Sequence, residues 1–141
     1  MKVLKKIIFI VVLVSISIGL LFVGSGYDMY KKAIEETSIE DKIAEIKSKE
    51  NYTKISELPQ MYKNAVISVE DHRFYKHNGI DIIAIGRAAF NDIKAMSFVE
   101  GGSTITQQIA KNIYFTQEKK IERKIAEVFM AFKIEKNCDK D

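Results

Sequence analysis

One cysteine, one proline and two histidines occur in the 141 residues, and each scarcity excludes something. The single Cys138 rules out an intrachain disulfide and offers no metal cluster. His72 and His77 lack the carboxylate–histidine ligand set of a zinc enzyme around them. Neither sign of charge is in large excess. With 22 Lys and Arg against 19 Asp and Glu the net charge is +3, too mild and too dispersed for a nucleic-acid partner. Internal repeats and low-complexity segments are lacking. No stretch alternates with period two, so the fold class is mainly α. The length allows one domain of modest size.

One long apolar run is present. Ile7–Gly24 carries no charge. At about 1.5 Å per residue it spans roughly 27 Å as a helix, near the thickness of a bilayer's hydrocarbon core. The competing reading is a cleaved signal sequence, whose apolar stretch is usually shorter, about 7–15 residues. Gly24-Ser25-Gly26 is a weak cleavage site, and length favours a retained anchor. Lys2, Lys5 and Lys6 precede the run, and Lys31 and Lys32 follow it. That small asymmetry favours a cytoplasmic N-terminus with the remainder outside.

The rest reads as helices. Tyr27–Lys49 is strongly charged, and Ser38 with Asp41 makes a capping box. A charged helical stalk over 27–57 is expected, after a cytoplasmic tip and transmembrane anchor over 1–26. Pro59 marks the next start, in the first turn of a helix carrying Met61, Tyr62, Ala65, Val66 and Val69 at helical spacing. Asp81 caps a further amphipathic helix with Ile82, Ile85, Ala89, Phe90 and Ile93 on one face. Gly101-Gly102 breaks the chain, and Ser103 or Thr104 caps a helix reaching about Asn112. A last helix from about Glu118 is expected to bury Ile121, Ile125, Val128 and Phe132.

Three polar clusters could carry chemistry. In the first, Glu70-Asp71-His72-Arg73-Phe74 ends an apolar helix and leads to Gly79. A carboxylate at such a boundary is expected to be partly desolvated, with its pKa raised toward the range useful for proton transfer. A solvated helix end is the plainer alternative. In the second, Gly101-Gly102-Ser103-Thr104 opens a helix on which Thr104, Gln107, Gln108 and Lys111 form a polar face. Gln and Thr suit hydroxyl-rich sugars, and Lys111 suits a phosphate. No lysine directly precedes the Ser-Thr, so this is not a Walker loop. In the third, Arg123 and Lys124 share a helix face with Glu127. Alone it would be read as helix ion pairs worth about 0.2–0.5 kcal/mol each.

The order Glu-Asp-x-x-Phe-x-x-His-x-Gly, then Gly-Gly-Ser-Thr-Ile-Thr-Gln-Gln-x-x-Lys-Asn, then Arg-Lys-x-x-Glu resembles glycosyltransferase family 51. That family comprises monofunctional peptidoglycan transglycosylases and the N-terminal domains of class A penicillin-binding proteins. The resemblance covers the anchor and about Leu58–Lys136. It implies a lysozyme-like α-helical head and a smaller membrane-facing jaw, with a peptidoglycan glycosyltransferase domain over 58–141. The family has two further motifs downstream, one resembling Ile-Leu-Glu-x-Tyr-Leu-Asn, so the resemblance implies a domain whose C-terminal part is missing.

The implied reaction polymerises lipid II into β-1,4-linked glycan with inversion and release of the lipid pyrophosphate. Glu70 matches the family's base and Glu127 its second glutamate. Lys111 and Lys119 match phosphate-contacting positions, and Arg123 and Lys124 are plausible additions. The remaining motif residues, Asp71, Phe74, His77, Ser103, Thr104, Gln107, Gln108 and Asn112, are expected to bind substrate. No tightly bound cofactor and no dedicated metal site are expected; Mg2+ or Mn2+ would accompany the pyrophosphate. The implied partners are lipid II, the growing lipid-linked glycan, the bacterial cell membrane and cell-wall synthesis proteins. Two alternatives remain: a lysozyme-like glycan hydrolase using Glu70 as acid, and an inactive remnant.

Overall fold

The computed structural model describes residues 1–140. Six α-helices occur there: α1 Lys2–Glu36, α2 Ile39–Lys47, α3 Gln60–Glu70, α4 Ile82–Ala95, α5 Ile105–Tyr114 and α6 Ile121–Asn137. Short 3-10 turns at Ile55–Glu57 and Phe74–Lys76 complete the described elements. No strand occurs among the described residues, as the absence of period-two alternation led us to expect.

α1 is long and apolar enough to cross a membrane. The two hydroxyls within its apolar run are satisfied internally: Ser15 donates to the Val11 carbonyl and Ser17 to that of Leu13. The helix does not stop at the end of the apolar run. It continues unbroken to Glu36, and Tyr27 and Tyr30 pack against Phe129 of α6. The first part of the charged segment is therefore a packed element and not only a spacer. α2 opens with Ser38, which accepts from the Asp41 amide and donates to its carboxylate. Tyr114 of α5 donates to the Ser38 carbonyl at 3.2 Å, which docks this turn. Burial, reinforced by Glu40, Cys138 and Asp41, pushes the Tyr114 phenol up to about 12, so it stays a donor.

The core centres on α6, packed between α1 and α5. Ala110, Ala126, Met130 and Ala131 are completely buried. This corrects the expected buried face. Ile121 is 60% exposed and Phe132 is exposed as well. Ala126, Met130 and Ala131, with Ile125 and Phe129 against α1, face the neighbours instead, and the alanines let two helices approach α6 closely. Gly79 has φ +90°, and a Cβ there would lie 3.1 Å from the Ala131 carbonyl. Both conformation and space require glycine at that turn.

α4 is capped as expected, with Asp81 accepting from the amides of Ile83 and Ala84. Its apolar face is not covered: Ile82, Ile85, Phe90 and Ile93 are exposed, and Phe98 beyond it is fully so. The segment after α4 folds back on it. Asp92 accepts from the amides of Val99 and Glu100, and Glu100 accepts from Arg87 and Asn91.

Candidate active site

The three polar clusters meet at one cleft. Ser103, Gln107, Gln108, Lys111, Lys124 and Glu127 line a space of about 230 Å³ between α5 and α6. Glu70, the last residue of α3, joins it through Gln108, whose amide donates to the Glu70 carboxylate at 2.6 Å. Glu70 is exposed, not partly desolvated as expected, because its neighbour Val69 is itself 82% exposed and supplies no apolar cover.

The cap of α5 sets this geometry. Thr104 accepts from the Gln107 amide, and the Gln107 side chain accepts from the Thr104 amide, a reciprocal box. Of the two candidate caps, Thr104 takes the role. Ser103 is left to accept from Lys124 at 2.6 Å. The box directs Gln108 and Lys111 along one face toward the cleft.

Glu127 is 1% exposed, and both its oxygens are used. Arg123 donates to one, and Lys124 donates to the other at 2.8 Å. A carboxylate this buried must be paired, so the third cluster is more than a solvated ion pair. Burial lowers the Lys124 amine below its ordinary pKa, and the charges of Arg123 and Lys111 push it the same way. Lys111 and Lys124 line the cleft with Arg123 close behind, and an anion placed there would relieve their mutual repulsion.

Other expected ligands lie behind the cleft. Asp71, His77 and Thr104 are bonded within the protein and shut away from solvent. The Asp71 carboxylate pairs with His77 Nε2 at 2.9 Å and accepts from the Ile105 amide at 3.1 Å. A buried carboxylate at a helix N-terminus is held there by the helix dipole and the amide it satisfies. Thr104 donates to the Gly79 carbonyl at 2.6 Å. These residues join the first cluster to the second. Phe74 packs edge-on against Tyr75 and His77, and faces a separate apolar groove with α2 and α6. Asn112 is exposed and accepts from Gln117; Lys119 is exposed and lies off the cleft lining.

Some supporting residues left no signal in the sequence. Arg73 donates to Asp81 at 2.8 Å, eight residues away across the glycine turn. Lys140 donates to the Phe74 and His77 carbonyls and pairs with Glu135, which accepts from Thr106. Such contacts between distant segments follow no local spacing rule.

With this geometry in hand, the comparisons are decisive. A sequence model described as transglycosylase matches residues 37–141. The chain belongs to the transglycosylase family. Relatives agree with the family assignment. Penicillin-binding protein 1F of Bacillus subtilis (strain 168) is 52% identical over 87 residues, 62% of this chain and 12% of that protein. Penicillin-binding protein 1A of Neisseria gonorrhoeae is 48% identical over 90 residues, 64% of this chain and 11% of that protein. A monofunctional glycosyltransferase of Staphylococcus saprophyticus is 45% identical over 101 residues, 72% of this chain and 37% of that protein. The chain therefore spans only a minor part of these relatives' lengths. Its all-helical described part agrees with the lysozyme-like α fold of the family.

Among the described residues, the side chains that could hold a metal already have partners within the protein. Asp71, His77 and Asp81 lie close enough to share an ion. Yet Asp81 already binds Arg73 and two amides, and Asp71 binds His77 and the Ile105 amide. At Glu127 a divalent ion would have to displace Arg123 or Lys124.

Proposed function

We propose that this chain carries the donor- and acceptor-handling face of a peptidoglycan glycosyltransferase acting on lipid II. The observation that carries the reading is the cleft in which Gln108 links the Glu70 carboxylate to a row of cations on α5 and α6. The acceptor 4-hydroxyl attacks the donor's anomeric carbon. A C–O bond forms, the bond to the pyrophosphate oxygen breaks, and the electron pair leaves with the lipid pyrophosphate. Attack from the opposite face turns an α-linked donor into a β-1,4-linked product. The hydroxyl proton passes to Glu70.

Lys111 and Lys124 are placed to meet the charge that grows on the leaving group. Glu127 holds Arg123 and Lys124 in position from inside. No step requires a resident metal, because the cleft's own cations can neutralise the leaving group. Asp71, His77 and Thr104 act by holding α3 against α5. Lys119 and Asn112, both outside the cleft lining, would contact only a substrate longer than this cleft.

α1 anchors the chain in the bacterial cell membrane, with Lys2, Lys5 and Lys6 cytoplasmic and Tyr27 onward outside. The exposed apolar residues from Ile82 to Val99 correspond to the membrane-facing jaw that the family resemblance implies. Labelled lipid II supplied to the full-length protein in liposomes tests the reading. Glycan chains are expected from the unmutated protein, and Glu70→Gln should cut their formation by about 10²–10⁴-fold with an unchanged melting curve. Near-normal polymer from Glu70→Gln would overturn the assignment. Release of short glycan from finished peptidoglycan would favour a hydrolase. A cysteine placed at Ser48 should react with an impermeant label in intact cells.

A further inference from the structure

Gly26 is the one buried residue of α1, and it lies just past the end of the apolar run. A Cβ at this position would stand 2.6 Å from Ile125 Cγ2, 2.7 Å from Ile125 Cβ and 2.9 Å from the Glu122 carbonyl oxygen. Two of those three atoms belong to parts of α6 that cannot swing away. Gly19 and Gly24 on the same helix meet nothing within 4 Å. Glycine weakens a helix interior, and at position 26 the approach of α6 accounts for it.

The contacts between the two helices climb in step. Gly26 meets Glu122 and Ile125, and Tyr27 and Tyr30 meet Phe129. The helices therefore run parallel at this contact, away from the apolar end of α1. With Ile125 opposite Gly26, Arg123 and Lys124 lie about level with Gly24 and Ser25, where the apolar run ends. Glu127 stands within about one helical turn, roughly 5 Å, of that level. The end of an apolar span is where lipid phosphates sit.

We infer that Gly26 is a positioning residue: its close contact with Ile125 ties α6 to the anchor at the height that holds Arg123, Lys124 and Glu127 in the plane of the lipid phosphates. The anchor is then part of the site's architecture as well as its tether. The inference deepens the glycosyltransferase reading, on which the identity of the lipid-linked pyrophosphate rests. A larger residue at position 26 pushes α6 off α1. The cations then leave the phosphate plane while Glu70, held by α3 and Gln108, keeps its chemistry.

The test uses the full chain in phospholipid vesicles with Cys138→Ser and a fluorophore on Ile121→Cys, at the exposed start of α6. Nitroxide lipids labelled at the headgroup report depth without any turnover. The parent label should be strongly quenched, and Gly24→Leu should match it. Gly26→Leu should lose at least half of the quenching. It should also lower kcat/KM for lipid II at least fivefold. Gly26→Ala adds only the clashing carbon and should move both readouts the same way should the leucine variant not fold; Gly24→Ala is its control. A parent label that headgroup nitroxides do not quench overturns the inference with no substitution at Gly26. So do Gly26 variants that match their Gly24 controls, or a loss of quenching with no change in kcat/KM. Strong, Gly26-dependent quenching in a parent that never uses lipid II would support the placement of α6 and tell against the glycosyltransferase reading instead.

Discussion

Around the cleft, the buried polar side chains are Asp71, Asp81, Thr104, Thr106, Gln107 and Glu127, and each has a hydrogen-bond partner. Along α4 and the segment after it, Ile82, Phe90, Ile93, Met96 and Phe98 are exposed. The first region hides polar groups and the second displays apolar ones, the reverse of a common soluble surface. A satisfied buried network fixes distances between elements more sharply than apolar packing does. That suits the cleft, where α3, α5 and α6 must hold Glu70 and the cations in register. An apolar face this extended needs another apolar surface. The two regions thus differ in what completes them: the network satisfies its own carboxylates and hydroxyls, leaving only Nδ1 of the buried His77 ring without a partner among the described residues, whereas the apolar face of α4 is uncovered.

The comparison would break most visibly at Asp71. Asp71→Ala strands the His77 ring and the Ile105 amide. It should cost about 2–4 kcal/mol in denaturant unfolding of the full chain. Glu70→Ala, one residue earlier and exposed, should cost less than about 0.5 kcal/mol. Equal losses from the two would mean that the buried network is not what holds the site.

Lys124→Ala should weaken pyrophosphate binding about tenfold by calorimetry, whereas Lys94→Ala, on exposed α4, should leave it unchanged. The pH dependence follows from the lowered pKa of Lys124. Its charge, and with it affinity, is lost at lower pH than for an ordinary lysine. Lys124→Arg should move the alkaline fall in binding to higher pH.

Asp81 extends the comparison to acid. Burial raises its pKa, but the Ala84 amide, the Arg73 guanidinium and the Ile83 amide outweigh burial and hold it below the usual carboxylate value. A lowered folded pKa gives stability that is present above the unfolded value, about 4, and lost as pH falls through the folded one. Asp81→Asn should flatten the acid-induced loss of melting temperature below about pH 4.

The smallest effect is expected on the displayed side. Met96→Ser with Phe98→Ser should change stability by no more than about 0.5 kcal/mol, since both are exposed. A larger loss would show these residues to be covered in the folded protein and would end the contrast.

Much of the helical frame was legible locally. Ser38, Asp81 and Thr104 cap where their spacing to the next amides predicts, because a cap is satisfied within its own turn. The pairing of Glu127 with Arg123 and Lys124 was also visible from one turn of helix. The faces of α3, α4 and α6 were not. Periodicity says which residues share a stripe, not which stripe meets a neighbour. On α6 the alanine side won over Ile121 and Phe132. The burial of Asp71 and of the His77 side chain was likewise hidden, since a polar residue's type does not say whether it faces solvent or a buried partner.

The sequence by itself determined where the capped helices α2, α4 and α5 begin, that one helix is apolar enough to span a membrane, and which polar residues share a helix face. Those features depend on groups within about one turn of each other, so chain order encodes them. Only the tertiary structure decided that Glu70 stays open while Asp71 is buried, that Glu127 lies inside with both cations, and that Gly26 binds the anchor to α6. Each of these depends on which elements touch. That is set by close packing and by satisfying buried polar groups across the whole fold.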